Sequence, residues 1–359
     1  MSKPFKIAGH SIAPGEAKKL EVPIVRLYTD TSMFLPVYVK HGRREGPKLF
    51  VSAAVHGDEL NGIEIISRLI NSKSVKNLKG TLIAVPLVNA YGVLNHDRYL
   101  PDRRDLNRSF PGTKKGSLAS RIAYIFMNEI VKQCDYGIDL HTGALHRSNL
   151  PQIRANLEDP ATLELAKAFG APVLINSNLR DGSLRECANE LGIAMLLYEA
   201  GEALRFDELS IRAGYRGILN VMRHLGMLSK RPTKRAPIKP FIAEDSGWVR
   251  ATDSGFVSHR HQLGDYVKKG DLLATVKDPF GDVIDEVVAH AEGIIIGKQN
   301  IPLVHEGEAM YHIAYVTKHH DTVAERIEHF HNIYNTERTT KLSDENSPDV
   351  KQTENGKVD

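Results

Sequence analysis

The chain has 359 residues, which at about 150 residues per domain predicts two domains and a sizeable buried core. Lys and Arg total 47 against 44 for Asp and Glu, a net charge of +3, far from the dense basic stripe that a phosphate backbone requires, so no nucleic-acid partner is expected. Cys134 and Cys187 stand far apart and form no C-x-x-C pair, which argues against a disulfide framework or a thiolate metal site and predicts a cytoplasmic location. The opening MSKPFKIAGHSIAPGEAKK lacks the apolar core of a signal peptide, and no run approaches the roughly 18 apolar residues of a membrane span, so no membrane association is expected.

From about Glu21 to Gly226, strand-like apolar runs alternate with helix-period segments, the pattern of an α/β fold with a mostly parallel sheet. Strands are predicted at Ile24–Tyr28, Val37–Lys40, Leu49–Val55, Thr81–Leu87, Tyr136–Leu140, Pro172–Ile175 and Ala194–Tyr198. Helices are predicted at Asn61–Asn71, Leu118–Lys132, Pro160–Phe169, Leu184–Leu191 and Leu209–Leu225. Residues 1–228 are therefore read as one domain. SKRPTKRAPIKP, within 229–240, holds three prolines and five basic residues and reads as an extended, solvated connector. Beyond it, short β-branched runs broken by Gly-Asp turns predict a small all-β domain over 241–338, with no helix pattern before about Thr322. The tail 339–359 is nearly free of large apolar residues and is expected to be disordered.

His56-Gly57-Asp58-Glu59 follows the apolar strand LFVSAAV and precedes a helix. Open α/β sheets bind ligands at such strand ends, and a His and a Glu across one turn can face a single metal ion. Zinc accepts imidazole and carboxylate, and a catalytic site needs three protein ligands and one open position. His141, in Asp139-Leu140-His141-Thr142-Gly143 at the end of another apolar strand, is the candidate third ligand. Asp139, two residues earlier, can take the other imidazole N–H. Glu199 ends a third apolar run, IAMLLYEAG. Taken alone, a glutamate there is more often a cap or a surface group, but beside a metal-bound water it is a candidate base. The loop between Asn89 and Gly116 is long enough to be functional. It carries Arg98 and then DRRDLNRSFPG, whose guanidinium forks suit an anionic substrate; Arg103 and Arg104 are expected to pair with Asp102 and Asp105.

HGDE, DLNRSFPG, DLHTG and YEAG, in this order and on these elements, resemble the succinylglutamate desuccinylase/aspartoacylase family of the zinc carboxypeptidase superfamily. The likeness spans roughly Leu20 to Leu228. It implies a zinc-carboxypeptidase-like mixed sheet flanked by helices, one zinc per chain on His56, Glu59 and His141, and Glu199 as general base. It also implies Arg98, in an Arg-Tyr setting, as the group that polarises the scissile carbonyl, and Asn107 and Arg108 as the pair that holds a substrate carboxylate. Gly182-Ser183-Leu184-Arg185 resembles the stretch carrying a further substrate arginine, Arg185. The interval from Arg98 to Asn107 is longer than in the best-known members. The C-terminal β region is similar to a biotinyl/lipoyl carrier module, but its hairpin tip reads Asp278-Pro279-Phe280-Gly281-Asp282, with Lys277 only beside it. That implies a structural lid or an oligomer contact, and homo-oligomerisation is compatible with it.

The expected function is a zinc-dependent hydrolase of the amide bond in an N-acyl amino acid or similar small anionic amide. Two alternatives stay open at this point: a metallocarboxypeptidase acting on short peptides, and a non-catalytic protein that keeps zinc and a ligand pocket.

Overall fold

The computed structural model describes residues 2–177, 182–230, 238–316 and 323–335. A hairpin of β1 (Phe5–Ile7) and β2 (His10–Ile12) precedes two long antiparallel strands, β3 (Ala17–Arg26) and β4 (Ser32–His41). Buried and exposed residues alternate in β3, whereas β5 (Lys48–Ala53), β6 (Thr81–Val85) and β7 (Tyr136–His141) are buried almost throughout. Continuous apolar strands of that kind belong at the centre of a parallel sheet covered on both faces. After β7 come β8 (Arg147–Ala155), β9 (Val173–Asn176) and β10 (Ala194–Gly201). The central order is β10-β7-β5-β6, all parallel, with β4 and β3 added antiparallel beyond β6.

The helices are α1 (Asn61–Asn71), α2 (Ala90–Asn95), α3 (Leu118–Glu129), α4 (Pro160–Phe169), α5 (Leu184–Glu190) and α6 (Glu208–His224). Capping side chains set most of their starts: Ser117, Asp159, Ser183 and Asp207 each accept a backbone N–H from the first turn, a bond worth about 1 kcal/mol. One core cluster packs Ile65, Leu69, Leu165, Phe169 and Ile218 against one face of the sheet. A second packs Phe126, Ile122 and Leu184 against the other, so the sheet is the middle of three layers. No described helix is long and apolar enough to cross a membrane.

β8 was not expected from the sequence, and it joins the two halves of the molecule. It runs antiparallel to β10 on one side, and on the other it changes partner part-way: residues 147–149 pair with a C-terminal strand and residues 152–155 with β9. Pro151, which has no N–H to give a ladder, falls at that changeover.

The C-terminal strands are β11 (Phe241–Ala243), β12 (Ser246–Arg250), β13 (Gly255–His259), β14 (Tyr266–Val267), β15 (Leu272–Lys277), β16 (Val283–Val288), β17 (Gly293–Gln299), β18 (Leu303–Val304) and β19 (Ala309–Tyr315). β16-β15-β13-β18 form a separate antiparallel sheet, while β12-β19-β17 continue the main sheet through β8, and β11 extends it through β9. The helix α7 (Val323–Asn335) returns to the first half, placing Phe330 and Tyr334 in the core with Phe169 and Tyr198. The hairpin joining β15 and β16 turns over Asp278–Asp282, as expected, and Phe280 projects from it 91% exposed. The connector read at 229–240 lies mostly outside the described residues, and the tail from 339 lies wholly outside them.

Candidate metal centre and active site

β5, β7 and β10 are adjacent, and their carboxyl ends carry the expected residues side by side. Ala53 registers with Leu140, one residue before His141, and Glu199 registers with His141 itself. After β5 the chain turns sharply at Ala54, whose left-handed φ of +52° is held by Asn89, which donates its N–H to the Ala54 carbonyl at 2.8 Å. Gly57 is needed in that turn because a Cβ there would run into the main chain of Gly92 in α2.

The turn aims His56 and Glu59 at His141. Nδ1 of His56 lies 2.7 Å from Oε1 of Glu59, and Nδ1 of His141 lies 2.7 Å from Oε2. Donor atoms of the three buried residues all lie within 4.8 Å of one another. Each ring is tied at its far nitrogen. His141 donates from Nε2 to Oδ2 of Asp139 at 2.7 Å, and Ser52 donates to Oδ1 of the same carboxylate at 2.7 Å. His56 donates from Nε2 to Oδ1 of Asp105 at 3.2 Å. A carboxylate can only accept, so each ring bears a proton on Nε2, and each turns Nδ1 inward to Glu59, where a metal ion would stand in place of a second proton.

Charge points the same way. Burial alone would raise the Glu59 carboxyl, but the two imidazoles hold it well below the usual carboxylate range. Burial would lower His141, but the carboxylates of Asp139 and Glu59 hold it well above the ordinary imidazole value. Glu59, Asp139 and Asp105 place three carboxylates around two imidazoles, with Arg98 as the nearby cation. Two imidazole nitrogens and a carboxylate oxygen, converging in a buried, electron-rich setting, are a donor set that fits a divalent metal ion.

Arg98 lies in this cluster. It donates from Nη1 to His56 Nδ1 at 3.2 Å and to Glu59 Oε1 at 3.3 Å, and from Nη2 to Asp105 Oδ2 at 3.0 Å. The long interval after it is absorbed by a tight turn in which Leu100 donates to Arg104 and Arg103 to Leu100. Asp102 does meet Arg104, at 3.9 Å, but Asp105 does not pair with the neighbouring arginines as expected. It turns inward to His56 and Arg98, and these hold its carboxyl below the usual range against the opposing effect of burial.

Asn107 and Arg108 follow in a short 3₁₀ turn. Asn107 accepts the Leu184 N–H at 3.0 Å, and Phe110 donates to Gly182, so this turn is clamped to the segment that precedes Arg185. Arg108 is exposed, and its one hydrogen bond among the described residues is to the Asn107 carbonyl at 2.5 Å; it meets no acidic group there. Arg185 is buried and donates to the carbonyl and hydroxyl of Ser177.

The profile of the succinylglutamate desuccinylase/aspartoacylase catalytic domain matches residues 45–225. The chain belongs to this family. That places it among hydrolytic deacylases, and the eight site residues expected from the sequence, from His56 to Glu199, all lie inside the matched segment. A curated relative, the N-alpha-acetyl-L-2,4-diaminobutyric acid deacetylase of Halomonas elongata, is 30% identical over 301 residues, covering 80% of this chain and 87% of the relative. A solved succinylglutamate desuccinylase/aspartoacylase from Rhodobacter sphaeroides is 26% identical with a TM-score of 0.75, over 85% of this chain and 96% of that one. The product-bound ectoine utilization protein of Ruegeria pomeroyi is 25% identical with a TM-score of 0.74, over 84% and 95%.

For this family member, sequence reasoning missed two groups. Asp105 is expected from the sequence to pair with Arg103 or Arg104, although its place between Arg98 and Asn107 puts it in the functional loop. Asn149, Gln152 and Arg154 of β8 surround Glu199 and carry no motif at all.

Proposed function

We propose that the protein is a zinc-dependent amidohydrolase that removes the acyl group from a small N-acyl amino acid. The observation that carries this reading is the convergence of His56, Glu59 and His141 at the ends of β5 and β7, with Glu199 on the next strand end. Zinc held by His56, Glu59 and His141 would bring the pKa of a water down from 15.7 to about 7 and polarise the scissile carbonyl. Glu199 takes the proton from the attacking water and returns it to the leaving amine. Arg98 stabilises the negative charge that develops on the carbonyl oxygen. Asn107 and Arg108 hold the substrate's carboxylate, and Arg185 supports that pocket from behind through the segment clamped to Asn107. The C-terminal β region reaches the Glu199 side of the site through β17, which pairs with β8, and in this reading it walls off that side against a longer chain.

The test is release of free amine from a panel of acylated amino acids and short peptides. The Halomonas elongata relative suggests N-alpha-acetyl-L-2,4-diaminobutyric acid as the first compound, followed by N-succinyl and N-acetyl derivatives of other amino acids. Turnover of acyl amino acids with none of peptides supports the proposal. Peptide trimming without deacylation would replace it with a carboxypeptidase.

A further inference from the structure

β8 brings three donors to one oxygen of Glu199. Asn149 donates from Nδ2 to Oε2 at 3.0 Å, Gln152 donates from Nε2 to the same atom at 3.3 Å, and Nη1 of Arg154 stands 3.8 Å away. No described residue bonds to Oε1. A carboxylate gripped by one oxygen has its rotation fixed and its second oxygen free to meet a water, which is what a base that handles a proton twice requires. The grip is specific. Gln152 is fully buried, is the direct cross-strand partner of Glu199, and its own Oε1 has no partner among the described residues. The reversed amide would set that oxygen against the carboxylate, so the charge on Glu199 dictates which way Gln152 points.

Asn149 is placed from the other side of β8. Its cross-strand partner there is Gly297 of β17, which in turn pairs with His312 of β19. A Cβ on residue 297 would come within 3.0 Å of the His312 Cβ, 3.1 Å of Asn149 Oδ1 and 3.5 Å of the Trp248 ring. Trp248 and His312 cannot yield easily, because their rings stack at 4.5 Å with 9° between planes and the Arg147 guanidinium lies over the indole. The group freest to move is the Asn149 side chain, and any shift of it disturbs the bond to Glu199.

We infer that Asn149 and Gln152 are positioning residues that hold Glu199 by one oxygen, and that Gly297 in the C-terminal region keeps Asn149 within reach. This rests on the proposed reading of Glu199 as the general base. The C-terminal strands thereby become part of the catalytic apparatus, acting through the amide of Asn149.

The test is a double-mutant cycle on the full-length zinc-loaded protein, with kcat and KM measured separately on the best substrate of the deacylation panel. A hydrogen bond to a charged group is worth about ten- to a hundredfold, so Asn149→Ala and Gln152→Ala should each lower kcat by about tenfold or more while KM moves less than about twofold. Gly297→Ala should lower kcat by roughly threefold or more in the native background and have almost no effect in the Asn149→Ala background, because both act through one side chain. If Gly297→Ala does not fold, Asn149→Asp decides: it keeps the volume but puts a carboxylate against Glu199, and it should be at least as slow as Asn149→Ala. Wild-type kcat in Asn149→Ala or Asn149→Asp, a loss carried by KM, or additive effects of Gly297→Ala and Asn149→Ala would overturn the inference. Glu199→Gln separates the two claims. If that variant turns over normally, the proposed base is wrong; if it is slow while the β8 variants are normal, only the present inference falls.

Discussion

The two sides of the site are built differently. On the metal side, His56 and Glu59 sit in the turn after β5 and His141 ends the adjacent parallel β7, so the ligands come from two short segments. Asp139 supports His141 from the same strand, while Ser52 of β5 and Asp105 of the following loop complete the support from 87 and 49 residues away. On the base side, Glu199 lies near the end of β10, but its partners come from β8, and β8 is held in turn by β17 of the C-terminal region. The first arrangement packs the ligands themselves into short contiguous motifs. The second spreads its groups over cross-strand pairs about 50 and 150 residues apart, a separation that register alone creates. A parallel sheet thus supplies ligands locally, and the antiparallel additions aim the base.

Variants can test that contrast, and the largest effect should come from the metal side. His56→Ala or His141→Ala should lose bound zinc and with it all measurable deacylation, read by elemental analysis beside an activity assay; full metal in either variant would break the ligand assignment. Glu199→Gln should keep its zinc yet turn over about 10²- to 10⁴-fold more slowly, since an amide cannot take a proton from water. The two carboxylates behind the ligands sharpen the comparison further. Asp139→Asn and Asp105→Asn should weaken zinc binding by about 10- to 100-fold in competition with a chelator. The larger loss is expected at Asp139, which is fully buried and closer to its ring, at 2.7 Å against 3.2 Å for Asp105. Equal losses would mean that burial does not set the strength of these supports. Arg108→Ala should cost the least, on the order of tenfold in kcat/KM for the preferred acyl amino acid. That loss should shrink when the substrate's carboxylate is replaced by an amide. Because Arg108 meets no acid among the described residues, thermal stability should hardly change, and a clear drop in Tm would argue for a structural role instead.

Legibility follows the same division. The central strands and five of the helices could be read from periodicity and caps, and α1 and α4 begin and end where the pattern placed them. His56, Glu59, His141 and Glu199 stood out because an apolar strand ended abruptly in a group that could do chemistry. β8, with the sequence RSNLPQIRA, gave no such signal. Asn and Gln are weak strand formers, and Pro151 argues against a central strand unless its missing N–H falls at a change of partner, which one sequence does not reveal. Asn149 and Gln152 were therefore invisible as site residues. Gly297 carries no signal of its own in the sequence, because its need to be small arises from Asn149 and His312 on neighbouring strands.

The central claim is that one metal ion on His56, Glu59 and His141 turns this fold into a deacylase. It is tested most directly by stripping the protein with a chelator and titrating zinc back while following amine release from the best acyl amino acid. Activity should be lost on stripping and return in proportion to added zinc, reaching its plateau at about one equivalent per chain. Undiminished turnover by the stripped protein, or a plateau only at two equivalents, would contradict the account.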